Sequence, residues 1–532
     1  MDCRTQKEEV RLGKTVSKLV EAHIEEINAV KKDLSQMKLK IAFCYPNNYR
    51  AGMASLGLQL IYRLWNSYDE VACERTFLPI KKTVEPYTLE SDRPLREMDI
   101  IAFTLQYEDD YTNVLDILER SNIPLESNMR DKNHPLVIAG GPCVQSNPVP
   151  MSPFIDAFMV GDLEPVNEEF MVEGLLGNNN RIERMETLNE FDWMWVPEIE
   201  EDKTVVYAPK DNIDDYFYPI KQIIPQVEEE DPWYGVFGKS FMLEVVRGCN
   251  RGCSFCLTGR INRPKRDRSL EKLTNLYRAG TKECDVNKIT PIGSGISDYK
   301  DLEDLCQNIL NDKLTFSLPS IRADKITENL VKLLVKAKQR TITTAPEAGT
   351  DKLRKQICKG VNDDEIIQAV KTASDGGLSR VKAYFILGLP DESAEDIEAI
   401  ATLAEKMSKA GREIRKMRIS CGFFVPKPWT GYQDKSLFSL KELQAKSKLL
   451  KSKIKNIPKV DCEISNPKMS RIQTILSISG KEISDPLKQA AKLGGGLGDW
   501  RRALKEHGMS IEGIVENRVI DEKYPWEFIK LK

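Results

Sequence analysis

Cys249, Cys253 and Cys256 are separated by three and then two residues in the run Arg247-Gly248-Cys249-Asn250-Arg251-Gly252-Cys253-Ser254-Phe255-Cys256. Thiolates this close in sequence fold around one [4Fe-4S] cubane and ligate three of its irons, leaving the fourth open to a ligand from outside the protein. An open iron implies substrate or cosubstrate chemistry. Zinc fits poorly, because a structural zinc takes four closed protein ligands, and the histidines, His23, His134 and His507, all lie far from this loop. Gly248 and Gly252 supply the backbone freedom that wrapping a cluster demands.

The loop follows an apolar run at 241–246 that opens an α/β series. Further strands are expected at 288–292, 314–318, 341–345, 381–387 and 417–424. Helical patterns separate them at 270–279, 302–310, 326–337, 365–374 and 395–410, which suits a partial (β/α)6 barrel. Upstream, apolar runs at 39–44, 100–105 and 136–139 alternate with helical patterns at 56–65 and 111–120, the pattern of a parallel, Rossmann-like sheet. Its turns Pro46-Asn47-Asn48-Tyr49-Arg50-Ala51-Gly52 and Gly140-Gly141-Pro142-Cys143 fall at strand ends, where open sheets bind ligands. Leu12, Val16, Leu19, Val20, Ile24, Ile27, Val30 and Leu34 share one face of a long docking helix. The expected organisation is a helix in 1–37, the α/β sheet domain in 38–177, an acidic linker or wrapping segment in 178–235, the barrel in 236–430 and a C-terminal extension in 431–532.

The cysteine loop resembles the cluster motif of the radical SAM superfamily, in which the residue before the last cysteine is usually aromatic, as Phe255 is. That resemblance implies an enzyme whose open iron chelates S-adenosylmethionine (SAM), which is then split reductively to a 5′-deoxyadenosyl radical that functionalises a substrate carbon. It also implies SAM contacts at Phe255, at Gly293 and Ser294 in Ile292-Gly293-Ser294-Gly295, at Glu347 in Pro346-Glu347-Ala348-Gly349-Thr350, and at Ile386 and Gly388. The last two lie in Tyr384-Phe385-Ile386-Leu387-Gly388-Leu389-Pro390-Asp391, which is similar to the family's fifth-strand motif with Asp391 at its acidic position. Residues 39 onward resemble radical SAM proteins with an N-terminal B12-binding-like domain, through Tyr45 to Met53, Phe103 to Glu108, Ala139 to Cys143 and Gly161-Asp162-Leu163-Glu164. Cobalamin would then bind without a protein imidazole on cobalt, since the family's DxHxxG signature is absent; methyl transfer is the favoured reaction if it binds. The resemblance further implies a reductase or a ferredoxin- or flavodoxin-type electron donor, and leaves the substrate open among lipid, small metabolite, protein and RNA.

Lys plus Arg number 78 against 81 Asp plus Glu, a net charge of −3, so any anionic partner must use a local patch. Candidates are Arg260, Arg263, Lys265, Arg266 and Arg268 after the cluster loop, readable as an anion site or as a solvated turn. Another is the stretch 431–460, where eight lysines face only Asp434 and Glu442. No apolar run could cross a membrane and no secretory signal is readable, so a cytoplasmic, oxygen-sensitive enzyme is expected. Twelve cysteines in 532 residues are too few for a disulfide framework. Cys44, Cys73 and Cys143 could hold an auxiliary cluster, as in methylthiotransferases that modify RNA, and the others, Cys358 among them, read as packing. A cluster-bearing sensor or scaffold without catalysis is the remaining alternative.

Overall fold

A computed structural model describes residues 24–231, 233–518 and 523–531. Its first sheet contains β1 (Leu39–Tyr45), β2 (Val71–Phe77), β3 (Ile100–Thr104), β4 (Leu136–Gly140), β5 (Ala157–Met159) and β6 (Met194–Trp195) in the order β2-β1-β3-β4-β5-β6. All neighbours are parallel except β5 and β6. The continuous apolar runs are explained by cover on both faces. Helix α1 (Leu56–Trp65), capped by Ser55, lies over one face, and α2 (Tyr111–Arg120) over the other. The chain leaves β1 for β2 on one side and returns to β3 on the other. This creates a topological switch point, the preferred ligand position of such sheets.

The barrel divides into two half-sheets. One contains β7 (Phe241–Arg247), β8 (Arg266–Asp267), β9 (Lys288–Gly293) and β10 (Thr315–Phe316). The second contains β11 (Thr341–Glu347), β12 (Arg380–Leu387), β13 (Lys416–Phe423) and β14 (Val460–Ile464), all parallel. The Ile321 N–H, donating to Thr343 O at 2.9 Å, ties the halves together. Helices α4 (Leu270–Glu283), α5 (Leu302–Asn311), α6 (Glu328–Lys336), α7 (Asp363–Asp375) and α8 (Ala394–Ala410) follow the strands, with α3 (Arg181–Glu190) lying upstream in the first domain.

Three expectations change. Most of the proposed N-terminal helix lies outside the described residues, and 24–37 is not helical apart from a single 3-10 turn. Glu26–Ile27 instead pairs antiparallel with Ile224–Pro225, and Glu26 meets the fully buried Arg75 at 2.6 Å. A buried guanidinium that needs a carboxylate outweighs a weak helical preference here. Residues 178–235 hold α3 and β6, so the first sheet is completed within the expected linker. The β/α series also continues past 430. The lysine-rich stretch forms α9 (Leu440–Ile454), which buries Leu443, Leu450 and Ile454, and leads into the extra strand β14.

Helices α10 (Pro467–Ile478), α11 (Ser484–Leu493) and α12 (Leu497–Glu506) close the face of the first sheet that α2 leaves open, burying Ile475, Leu487, Trp500 and Leu504 in one core with Phe103 and Leu115. Fully burying such a side chain contributes roughly 1.5–3 kcal/mol. Glu108, in the turn after β3, joins all three parts. It is buried, meets Lys427 from the loop after β13 at 2.6 Å, and accepts from Gln473 of α10 at 3.0 Å. Burial alone would raise its pKa, but Lys427 and Gln473 hold it below the ordinary value. Lys427→Met strands this carboxylate and is expected to cost about 3–5 kcal/mol in urea unfolding, with Glu108→Gln in the same chain recovering most of the loss.

Candidate functional site

Arg247 ends β7 one residue before the cysteine loop. Its guanidinium meets Glu244 at 2.8 Å, Glu164 at 2.7 Å and Asp162 at 3.3 Å. Arg266 also reaches Asp162, at 2.8 Å, and Arg268 reaches Glu244, at 3.0 Å. Burial alone would raise the Glu244 pKa, but Arg247 and Arg268 hold it at about 2. The basic residues after the cluster are therefore largely spent inside the protein. Lys265 pairs with Asp267, Arg263 donates to Arg251 O at 3.0 Å, and Arg260 is half-buried, so the turn is not a solvated face.

All three cysteines are half-buried. The Cys249 sulfur accepts from Arg251 N at 3.4 Å, and burial pushes the Cys256 thiol up, opposed by backbone N–H groups of Gly259 and Thr258. Burial pushes the Cys253 thiol up, opposed by Lys359 and Arg322. Among the described residues no three His, Cys, Asp or Glu side chains converge as for a single ion. The donor set in this loop is thiol only, which is the soft set of an iron–sulfur cluster.

Other strand ends converge on this loop. Gly293 ends β9 against Val246, where a Cβ would stand 2.4 Å from Cγ1, and a Cβ on Gly295 would lie 3.7 Å from the Cys249 sulfur. Ser294 is exposed in the same turn. Glu347 ends β11 with φ +71°, a strained conformation outside glycine, and meets Lys359 at 3.0 Å. Burial raises its pKa against the pull of Lys359. Phe255 and Ile386 pack with Trp429 on the core shared with the first sheet. Gly388 has φ +76° and donates its N–H to Glu392 Oε2 at 2.7 Å. The buried carboxylate beside this turn is thus Glu392, paired with Lys446 at 3.1 Å, whereas Asp391 is exposed. A one-residue offset from the motif hid it in the sequence.

Cys358 does not serve as packing. It is exposed, its carbonyl lies 3.7 Å from the Cys253 sulfur, and its own sulfur lies 3.7 Å from Ser254 Oγ. Neither it nor Lys359 belongs to a recognisable spacing. Cys44 and Cys143, by contrast, pack on one face of the first sheet and Cys73 on the other, so these three cannot share a cluster.

A cavity of about 350 Å³ lies at the switch point, between the sheet face and α1. Phe43, Leu60, Trp65 and Phe103 line its body, the Gly140–Gly141 turn its mouth, and Glu244, Arg247 and Ile292 of the barrel its far side.

The family described as "Radical SAM proteins, N-terminal" matches residues 57–197, and the radical SAM superfamily matches residues 243–404. An uncharacterized protein of Methanocaldococcus jannaschii is 35% identical over 429 residues, 78% of this chain and 84% of the relative. The chain belongs to the radical SAM superfamily. It is an enzyme of the [4Fe-4S] and SAM type, with a mixed α/β architecture of an N-terminal domain and a radical SAM domain. The radical SAM enzyme is also similar to the ribosomal protein uS12 methylthiotransferase RimO of Thermotoga maritima, at 22% identity over 57% of this chain and 69% of that one. Among solved structures, the radical SAM methyltransferase TsrM of Kitasatospora setae, with cobalamin and a [4Fe-4S] cluster bound, aligns with TM-score 0.48 at 12% identity, covering 72% of this chain and 75% of that chain. No described helix of the radical SAM enzyme is long and apolar enough to cross a membrane.

Burial pushes the Glu392 carboxyl up to about 7, against Lys446 and the Gly388 N–H. Because its folded pKa is raised, its contribution to stability is complete below the unfolded value near 4.5 and is lost as pH rises through about 7. Urea unfolding of the wild type is expected to weaken by up to ~3 kcal/mol between pH 5 and 8 from this group. Glu392→Gln, which retains an acceptor for Gly388, should remove that part of the slope.

Proposed function

We propose that the enzyme transfers a methyl group to a substrate carbon in a chamber between the barrel mouth and the strand ends of the first sheet, with cobalamin anchored in the switch-point cavity. The observation that carries this reading is the cavity itself, which runs from the face of the first sheet to Glu244, Arg247 and Ile292, beside the cysteine loop. Its apolar body fits a flat ring. Gly141, at φ +104°, opens the mouth where a Cβ would stand 2.8 Å from Leu105 O. A cavity of this size would hold the ring-bearing tail of a corrinoid. The lining offers no imidazole, so cobalt would have no protein histidine.

Cys249, Cys253 and Cys256 hold the [4Fe-4S] cluster in this reading. Phe255, Gly293, Ser294, Glu347, Ile386 and Gly388 hold SAM. When bound, cluster and SAM supply a 5′-deoxyadenosyl radical, and a corrinoid supplies a methyl carrier. Glu347 accepts hydrogen bonds from the ammonium or ribose hydroxyls of SAM, with Lys359 opposing the burial that raises its pKa. Phe255 and Ile386 exclude water from the adenine side. Glu392 fixes the Gly388 turn so that its backbone can approach the ligand closely. A reductase or a ferredoxin- or flavodoxin-type protein supplies electrons, and the cytoplasm, where thiols stay reduced, is the fitting compartment.

Iron, acid-labile sulfide and corrinoid measured on one anaerobically reconstituted sample should give about four irons and one corrinoid per chain. Failure to take up corrinoid would remove the methyl-transfer reading, and about eight irons would replace it with methylthiotransferase-type chemistry. Cys253→Ala should lose both the cluster and reductant-dependent 5′-deoxyadenosine formation. Cleavage that survives this substitution would overturn the cluster assignment.

A further inference from the structure

On β12 and β13, Val381, Ala383, Phe385, Met417, Ile419 and Cys421 enter the core formed with the outer helices. The alternate residues turn to the inside of the half-barrel. They stand in register as Arg380 beside Lys416, Lys382 beside Arg418, Tyr384 beside Ser420 and Ile386 beside Gly422. The two lower rungs therefore place cations directly opposite one another, an arrangement that costs stability. Lys416 and Arg418 are answered from β14 by Asp461 at 2.9 Å and Glu463 at 3.4 Å. Arg380 and Lys382 form no ion pair with a carboxylate among the described residues. The Lys382 ammonium sits 4.6 Å from the centre of the Tyr384 ring, and Tyr384 is 38% exposed. Arg340, Arg412 and Arg415 are exposed in the loops at the lower end of the trough, with Glu413 as the acidic residue beside them.

Two cations without a carboxylate partner, a partly exposed tyrosine and the SAM-side residue Ile386 thus follow one another up a single strand. Arg380 and Tyr384 are about 13 Å apart along it, roughly the reach of a nucleotide from phosphate to base edge. We propose that this trough binds the substrate and that the substrate is a nucleotide, free or within an RNA strand, its phosphate on Arg380 and Lys382 and its base against Tyr384. The inference rests on the radical reading above and names its substrate class. Base stacking on an exposed ring beside a basic groove is the usual means of holding single-stranded nucleic acid.

The test uses the full-length reconstituted enzyme, a fluorescein-labelled single-stranded RNA of mixed sequence, and AMP as both ligand and competitor. Arg380→Glu with Lys382→Glu should weaken binding about tenfold or more and reduce the slope of log affinity against log salt by about two. Tyr384→Ala should weaken binding without changing that slope. Lys448→Glu with Lys451→Glu, on the outer face of α9, should leave binding as it was. Binding or competition by AMP assigns the free nucleotide, and binding of RNA alone assigns the strand. The inference is overturned if neither probe binds, if the Arg380/Lys382 variant binds as well as wild type while keeping its melting temperature, or if the α9 variant is the one that fails. On the same wild-type sample, 5′-deoxyadenosine formation without nucleotide binding removes this inference alone, whereas its absence removes the radical reading as well.

Discussion

Arg247 is the point on which the arrangement of the site turns. It is the last residue of the first barrel strand, and it answers carboxylates from its own strand and from the Gly161-Asp162-Leu163-Glu164 turn of the other domain. Desolvating several charges together is costly, and opposite charges offset that cost only by pairing with one another. Glu244, Asp162, Glu164, Arg266 and Arg268 join Arg247 in one set of ion pairs, while Asp162 Oδ2, Arg266 Nε and Nη2, and Arg268 Nε lack a hydrogen-bond partner among the described residues. The next residue, Gly248, has φ +82°, and a Cβ there would stand 1.9 Å from Asn262 O. The cysteine loop therefore leaves a rigid strand through a turn that only glycine fits, at an orientation tied to the first sheet.

The same economy governs the rest of the assembly. Glu108 draws the turn after β3, the loop after β13 and α10 to one place, so the mouth of the barrel is faced by the carboxyl ends of the first sheet. Helices α10 to α12 then bury the face of that sheet that α2 leaves open. A C-terminal stretch without recognisable chemistry thus has a structural task, since a parallel sheet is stable only with both faces covered. The switch-point cavity results from the same packing, because its far wall is supplied by the barrel.

Much of this was readable from periodicity. The six barrel strands expected from apolar runs are all present, and so are the turns at Gly293, Glu347 and Gly388, because alternation and strand-end glycines are local properties. The readings that failed depended on partners far away in sequence. Residues 24–37 gave up helical periodicity for a buried pairing with Arg75, β6 was too short to register, and β14 was concealed behind a lysine-rich helix. Arg266 and Arg268 looked like a solvated turn because their carboxylates come from Asp162 and Glu244.

The family of the enzyme was legible locally, in three cysteines whose spacing suits one cluster and in short turns that follow strands. Local spacing sets chemistry because a cluster loop and a strand-end turn each close over a few residues. Where that chemistry is aimed was decided by long-range packing, which brought Lys359 to Glu347, Glu392 under Gly388 and Cys358 against the cluster loop. It also split Cys44 and Cys143 from Cys73 across a sheet, and lined up Arg380, Lys382 and Tyr384 inside the barrel. The physical reason is that burial and charge pairing act between surfaces, and which surfaces meet is not a property of any short stretch of chain.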